Sequence, residues 1–362
     1  MRRFLYSLVM SFITPLMLIL AANASHALVI MQYHHISDET PASTSTSPEL
    51  FAQHMQYVEE QGFEVLSLSA VRSHIESGIE FPVNSVLITF DDAYESIYQQ
   101  AFPILKEKGW PFTIFISTEA INVKAFGMLS WQQLNEMAES GASLANHTVS
   151  HPHLVRKQKN ETDQQWLQRI TNEIEIAESE IKKHTGQNHK MVAYPYGEFN
   201  AEVLSLLKQK GYYAMGQHSG AASIKDKYAM PRFPLSNAFG QLESLPTKMN
   251  SLPLEYKNLQ VLSDQRKPMQ DGILPSLTTR PIVQLELNNQ KQAKAIQCYV
   301  SGQGLADKLF ITPTLIEFRA PRNLSAGRNR YNCTASSGIK GKFFWLSVPF
   351  ISKTASGEWA PE

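Results

Sequence analysis

Cysteine is nearly absent from this 362-residue chain, which has Cys298 and Cys333 and no others. Excess charge is lacking as well: 33 Lys plus Arg balance 33 Asp plus Glu. Nothing in the net charge therefore calls for nucleic acid or an acidic membrane as partner, and an uncharged glycan is compatible with it. No segment beyond the N-terminal stretch approaches transmembrane length. There is no internal repeat, and the only low-complexity tract is a Ser/Thr-containing loop at 40–47. What is present is 43% apolar residues, which excludes a disordered chain and suits one large domain plus one small one.

Arg2 and Arg3 precede an apolar stretch from 4 to 22, and Ser25-His26-Ala27 forms a small-residue site. The pattern predicts an export signal over 1–27, cleaved after Ala27, with no stable membrane insertion afterwards. An uncleaved anchor is the alternative, against which Pro15 interrupts the stretch. An exported chain, in periplasm or outside the cell, meets an oxidising compartment. Cys298 and Cys333 then read as one disulfide rather than a metal site, two buried free thiols being the other reading.

The apolar run 28–33 predicts a strand that ends at His34-His35. Ser47-Pro48 starts a helix that Gly62 stops. Strands at 86–90, 112–116, 144–146, 191–194 and 212–216 then alternate with helices at 96–108, 131–139, 161–184 and 201–210, and Ser130 with Gln133 makes a capping box. Such alternation predicts an α/β fold with a parallel sheet or barrel. From about 248 the character changes. A polar stretch leads to runs rich in β-branched and aromatic residues at 282–287, 295–300, 309–318, 330–335 and 343–351, which predict a small all-β sandwich. Tyr331-Asn332-Cys333 resembles the corner tyrosine of immunoglobulin-like domains. The expected division is 28–248 for the α/β domain, 249–274 for a linker and 275–362 for the β-rich domain.

His34, Asp91, Asp92, His147, His151 and Tyr196 all fall at predicted C-terminal strand ends, where α/β folds place their chemistry. In Thr89-Phe90-Asp91-Asp92, neighbouring carboxylates face one cavity only if the strand end is irregular, and one can then bind metal while the other takes a proton. An isolated Asp pair is otherwise a solvated turn or a helix cap. His147 and His151, four apart before Pro152, can reach one ion from a tight turn. Tyr194-Pro195-Tyr196-Gly197 is either an ordinary turn or one whose exposed N–H serves an oxyanion. Two carboxylates and a His-x-x-x-His pair are the minimum set for metal-assisted hydrolysis. Trp131, Tyr94 and Phe199 are candidates for stacking on sugar rings, and His153 for a bystander or a supporting donor.

Together the three motifs resemble the polysaccharide deacetylases of the NodB-homology type, carbohydrate esterase family 4, over roughly 28–248. The resemblance implies a distorted (β/α) barrel and metal-dependent removal of acetyl groups from an N-acetylated polysaccharide or oligosaccharide. It also implies Asp92, His147 and His151 as ligands of a divalent ion, Zn2+ by default with Co2+ or Ni2+ as alternatives, and Asp91 as the base. The chain departs from the pattern in three places. Ala93 stands where Gly is usual, Ala193 where many members have an Arg that holds the catalytic Asp, and a late Leu-x-His motif is missing. Tyr33-His34-His35-Ile36 resembles the branch acting on poly-β-1,6-N-acetylglucosamine, which implies His34 as general acid. Met230-Pro231-Arg232 matches the same branch and suggests Arg232 as the partner of Asp91, an inter-domain surface arginine being the alternative. An O-acetyl polysaccharide esterase and a non-catalytic glycan-binding envelope protein are the competing functions.

Overall fold

The computed structural model describes residues 26–274 and 279–360; of the expected export signal, all but His26 and Ala27 lies outside them. The main sheet contains β1 Leu28–Tyr33, β2 Ser85–Phe90, β3 Phe112–Ile116, β4 Ala142–Asn146, β5 Met191–Ala193, β6 Tyr213–Met215 and β7 Phe233–Pro234. Their order is β7-β1-β2-β3-β4-β5-β6, all parallel, with Glu64–Val65 beside the start of β2. Met230 bridges Met215 of β6, and β7 follows at once to pair with β1, so one segment spans the gap between the last and first strands. This is a distorted, incompletely paired (β/α) barrel.

Parallel strands covered on both faces read as continuous apolar runs, and β1 shows why. Leu28 and Ile30 join a cluster with Leu87, Phe115 and Met215, whereas Val29, Met31 and Tyr33 join another with Val86, Ile88 and Phe51. The helices begin where short polar side chains cap them. The Ser47 hydroxyl accepts from Leu50 N ahead of α1 Pro48–Glu60, and Ser130 with Gln133 closes a capping box on Trp131–Glu139. The long helix is Asp163–Thr185 rather than 161–184. Thr162 and Gln165 form its box, while the Glu161 carboxylate accepts from Gln158 N and pairs with Arg169. The helix expected over 96–108 starts as a widened π turn, Ile97–Ala101, before Phe102–Lys108. Pro103 lacks the N–H that a regular α turn would use there. Among the described residues, no helix is long and apolar enough to cross a membrane.

The stretch 249–274, expected as a linker, is instead built into sheets. Ser251–Pro253 and Ile273–Leu274 pair with Phe343–Ser352, and Tyr256–Leu262 pairs with Ile282–Leu287. Tyr256–Leu262 leaves much of its length to solvent, which gives it a polar composition. Two five- to six-stranded sheets enclose a second core around Val283, Leu285, Ile316, Phe318, Tyr331 and Phe350. The run 295–300 forms one strand, Gln297–Val300, directly after the Asn289-capped helix Gln290–Ala295; 309–318 divides into strands Asp307–Phe310 and Leu315–Arg319 around Pro313. Cys298 and Cys333 are bonded, and they face each other on adjacent strands of one sheet. This departs from the immunoglobulin pattern, whose bridge joins two sheets. The Tyr331 hydroxyl does reach across, donating to the Pro281 carbonyl and accepting from Ala320 N.

Candidate active site

At the end of β2 the ladder continues through Asp91, whose N–H donates to the Tyr33 carbonyl, and then breaks. Asp92 and Ala93 take left-handed backbone, φ 70° and 64°. The turn brings the second carboxylate round toward the first instead of to the opposite face of the sheet. Thr148 (φ 70°), His151 (φ 54°) and Tyr196 (φ 58°) are also left-handed, so five of the ten non-glycine residues with positive φ among the described residues gather here. Left-handed backbone concentrated at one place marks a functional site.

Asp91 is fully buried. Its Oδ1 accepts from Arg232 Nη1 at 2.7 Å, and its Oδ2 from Arg232 Nη2 and from Gln32 Nε2, both at 2.8 Å. Burial alone would raise its pKa, but the Arg232 charge and then His147 hold the carboxyl far below the ordinary range. Arg232, equally buried, also donates to the Gly216 carbonyl and to Thr89 Oγ1, and lies over the Phe115 ring.

Asp92 Oδ1 stands 3.4 Å from His147 Nε2 and 3.5 Å from His151 Nε2, and one ligand atom from each of the three residues lies within 4.8 Å of the others. His147 Nδ1–H donates to the Ala193 carbonyl at 2.8 Å, which leaves Nε2 buried and turned to the Asp92 side with no hydrogen-bond partner among the described residues. Burial, and then the neighbouring His147, push His151 down to about 4, keeping its ring neutral. An imidazole with one nitrogen orphaned, a second imidazole held neutral and a carboxylate that converge on one point fit a divalent cation. The long helix secures this loop. Glu173 accepts from Val149 N, Ser150 N and the Ser150 hydroxyl, and Asn146, held by Glu178, accepts from Thr148 N.

The site opens into a cleft of about 830 Å³ lined by Gln32, His34, Asp92, Tyr94, His151 and Tyr196 among others. His34 Nε2 is 3.9 Å from Asp91 Oδ2. Tyr94 lies against His35, ring centroids 3.5 Å apart; burial, then Asp92, hold its hydroxyl well above the ordinary tyrosine value, so it stays a hydrogen-bond donor. Tyr196 stacks on His153 at 3.9 Å and meets His151 edge-on at 4.5 Å, while His153 donates to Glu198. Trp131 and Phe199 do not line the cleft. Trp131 stacks on His184 and donates to Asn122, and Phe199 packs against Tyr194. The cleft's other wall comes from the β-rich region: Arg328, Asn329, Arg330, Pro349, Phe350 and Ile351.

The family model described as polysaccharide deacetylase matches residues 78–215, which hold Asp91, Asp92, His147, His151 and Tyr196. A poly-beta-1,6-N-acetyl-D-glucosamine N-deacetylase of Staphylococcus epidermidis is 30% identical over 199 residues, 53% of this chain and 68% of that protein. The chain belongs to the polysaccharide deacetylase family. A second deacetylase of that description, from Escherichia coli K12, is 25% identical over 68% of this chain, which spans only 45% of that longer protein. The solved Streptococcus pyogenes deacetylase PplD in complex with acetate superposes with a TM-score of 0.53 at 25% identity, covering 59% of this chain and 94% of that one. Residue 193 is a buried Ala, and the cation paired with Asp91 is Arg232, on the segment that closes the barrel. The usual Gly at 93 has a physical reason: the position needs φ near 64°, which Ala93 adopts under strain. Gln32 escaped the sequence reading. Its signal was there, a lone polar residue inside the apolar run of β1, two positions before His34 and so on the same face.

Proposed function

We propose that this deacetylase is an exported, metal-dependent enzyme that hydrolyses the N-acetyl groups of N-acetylglucosamine-containing glycans. One observation carries the reading: two adjacent carboxylates with different surroundings, Asp91 closed in by Arg232 and Gln32, Asp92 open toward two imidazoles. Asp92, His147 and His151 would hold a divalent cation, zinc first and cobalt or nickel next, which when bound would supply Lewis acidity. Asp91 accepts the proton of the attacking water. The Arg232 charge, and then His147, hold its carboxyl down against burial, so it is ionised and able to accept that proton. Arg232 and Gln32 keep it ionised and aimed. The backbone N–H of Tyr196, in its left-handed turn, donates to the developing oxyanion. As the carbon–nitrogen bond breaks, His34 gives a proton to the leaving amine, and acetate and the free amino sugar result. The catalytic unit is 28–248, and poly-β-1,6-N-acetylglucosamine is the first substrate to test, a choice supported by the relatives' activity.

The test is acetate release by the mature chain from β-1,6- and β-1,4-linked N-acetylglucosamine oligomers, before and after chelation and zinc restoration. Chelator-sensitive release that zinc restores is expected, with the faster oligomer naming the linkage. Release that survives chelation, or release from an O-acetylated polysaccharide alone, overturns the reading.

A further inference from the structure

Arg328 and Arg330 sit two residues apart on strand Gly327–Ser336 and line the same cleft as Asp92 and His151. Each fixes one nitrogen on a barrel carbonyl: Arg328 Nη1 donates to Tyr196 O at 2.9 Å, and Arg330 Nη1 to Gln217 O at 3.3 Å. A guanidinium carries five N–H donors, and the remaining ones meet no protein acceptor among the described residues. Elsewhere, Arg72, Arg169, Arg232 and Arg266 each face a carboxylate. Arg328 and Arg330 face none among the described residues. The carboxylates lining the cleft are engaged, Asp92 with the two imidazoles and Glu198 with His153 and Arg156.

Two like charges side by side at a partly desolvated wall are unfavourable unless an anion meets them. Burial, and then Arg328, lower the pKa of Arg330. The third titratable group in this corner, His218, is half-buried with its Nδ1 shut off from solvent, and desolvation followed by Arg330 and Arg232 brings it down to about 3, so it stays neutral and offers no counter-charge. Planar forks pre-set by a carbonyl suit two-pronged recognition of a carboxylate or a phosphate.

We propose that Arg328 and Arg330 form a subsite for an anionic group, a carboxylate or a phosphate, carried by the glycan next to the unit that is deacetylated. The proposal rests on the deacetylase reading of the cleft. The Arg328 guanidinium lies 5.7 Å from the Tyr196 ring centroid, and that ring is 4.5 Å from His151. One aromatic ring thus separates the subsite from the metal-ligand cluster, which places it at a neighbouring sugar. The β-rich region becomes the part that selects the polymer, while the barrel holds the chemistry.

The experiment uses the full mature chain and three N-acetylglucosamine oligomers of equal length: neutral, carrying one uronate unit, and carrying one phosphate monoester. Acetate release is followed at low and at physiological salt. The expected result is a kcat/KM at least about tenfold higher for one anionic oligomer, expressed mainly in KM and shrinking as salt is added. The better of the two anionic arms names the group. Arg330→Gln and Arg328→Gln should each bring the ratio of anionic to neutral kcat/KM toward one, with Arg330→Lys keeping part of it. Equal kcat/KM for neutral and anionic oligomers in the unmodified chain overturns the proposal. So does a preference that survives both Gln variants, or variants that melt earlier with the ratio unchanged, the mark of a bracing role. Calorimetric titration of the Asp91→Asn chain with the same oligomers keeps the two readings apart. Arg330-dependent preference for the anionic oligomer upholds the subsite even if no oligomer releases acetate, an outcome that would count against the deacetylase reading alone.

Discussion

On the barrel side of the cleft, Arg232 commits its Nε, Nη1 and Nη2 to Gly216, Thr89 and both oxygens of Asp91; on the β-rich side, Arg328 and Arg330 each commit one nitrogen. The first arginine is fully buried, whereas Arg328 is exposed and Arg330 half-buried. The same residue type therefore does opposite work. Where all three guanidinium nitrogens are engaged within the protein, the arginine fixes one carboxylate in one orientation. Where donors remain, it is available to a ligand. Changes on the barrel wall should lower turnover or stability whatever the substrate, and changes on the other wall should alter the choice among substrates.

Asp91→Asn is the severest test of the barrel side. Turnover should fall roughly 10²–10⁴-fold, while metal content by atomic emission stays that of the unmodified chain; retained turnover removes Asp91 as the base. Arg232→Met comes next. It leaves a buried carboxylate without its cation, at a cost of about 3–5 kcal/mol in urea unfolding. Arg232→Lys should restore little, because a point charge cannot serve both oxygens. Adding Asp91→Asn to Arg232→Met should recover part of the loss, and a double variant no more stable than the single would deny the coupling.

Glu173→Gln addresses the support behind the His loop, with three hydrogen bonds at stake. Cation affinity, read by competition with a chromogenic chelator, should weaken roughly 10–100-fold. Behind the barrel wall, the Tyr33 hydroxyl donates to His54 Nδ1, and His54 Nε2–H donates to the Gly240 carbonyl. Burial brings this histidine down from 6.5 to about 4. Its folded pKa is depressed, so the unfolded chain binds the proton first as pH falls. The contribution of the neutral ring is whole above 6.5 and is lost toward 4, with a slope of at most about 1.4 kcal/mol per pH unit. Urea unfolding at pH 7 and pH 5 should show this slope in the unmodified chain and a smaller one in His54→Gln. Smallest is Ala93→Gly, which should change the melting free energy by no more than about 1 kcal/mol. Ala93→Val, β-branched at φ 64°, should cost more.

The parts of the site that could be read from the chain are those carried by contiguous residues. Asp91-Asp92 and His147 through His151 each lie within one strand end and its turn, so local spacing already brings the donors close. Arg232 lies 141 residues from Asp91, and no local pattern links them; only the family resemblance suggested the pair. Arg328 and Arg330 depend on how the β-rich sheets sit against 196–217, which periodicity does not encode. Among the elements, the Thr162/Gln165 box was visible as a pattern but was passed over in favour of Glu161. Tyr256–Leu262 read as a linker because a strand with a solvated side has the composition of one. Pro313 was the punctuation that split one supposed strand, and Asn289 marked a short helix ahead of another.

Arg232 arrives on the segment that joins β6 to β7, the last piece of the barrel to be synthesised. Until that piece docks, Asp91 sits at a strand end without its cation, and the gap between β1 and β6 stays open. Closing the long loop between them is the late, entropically demanding step of assembly. Barrel closure and arming of the hydrolytic centre are then a single event. On the proposed mechanism, a chain still emerging, or truncated before 232, would carry Asp92, His147 and His151 in full and yet lack the cation that aims Asp91.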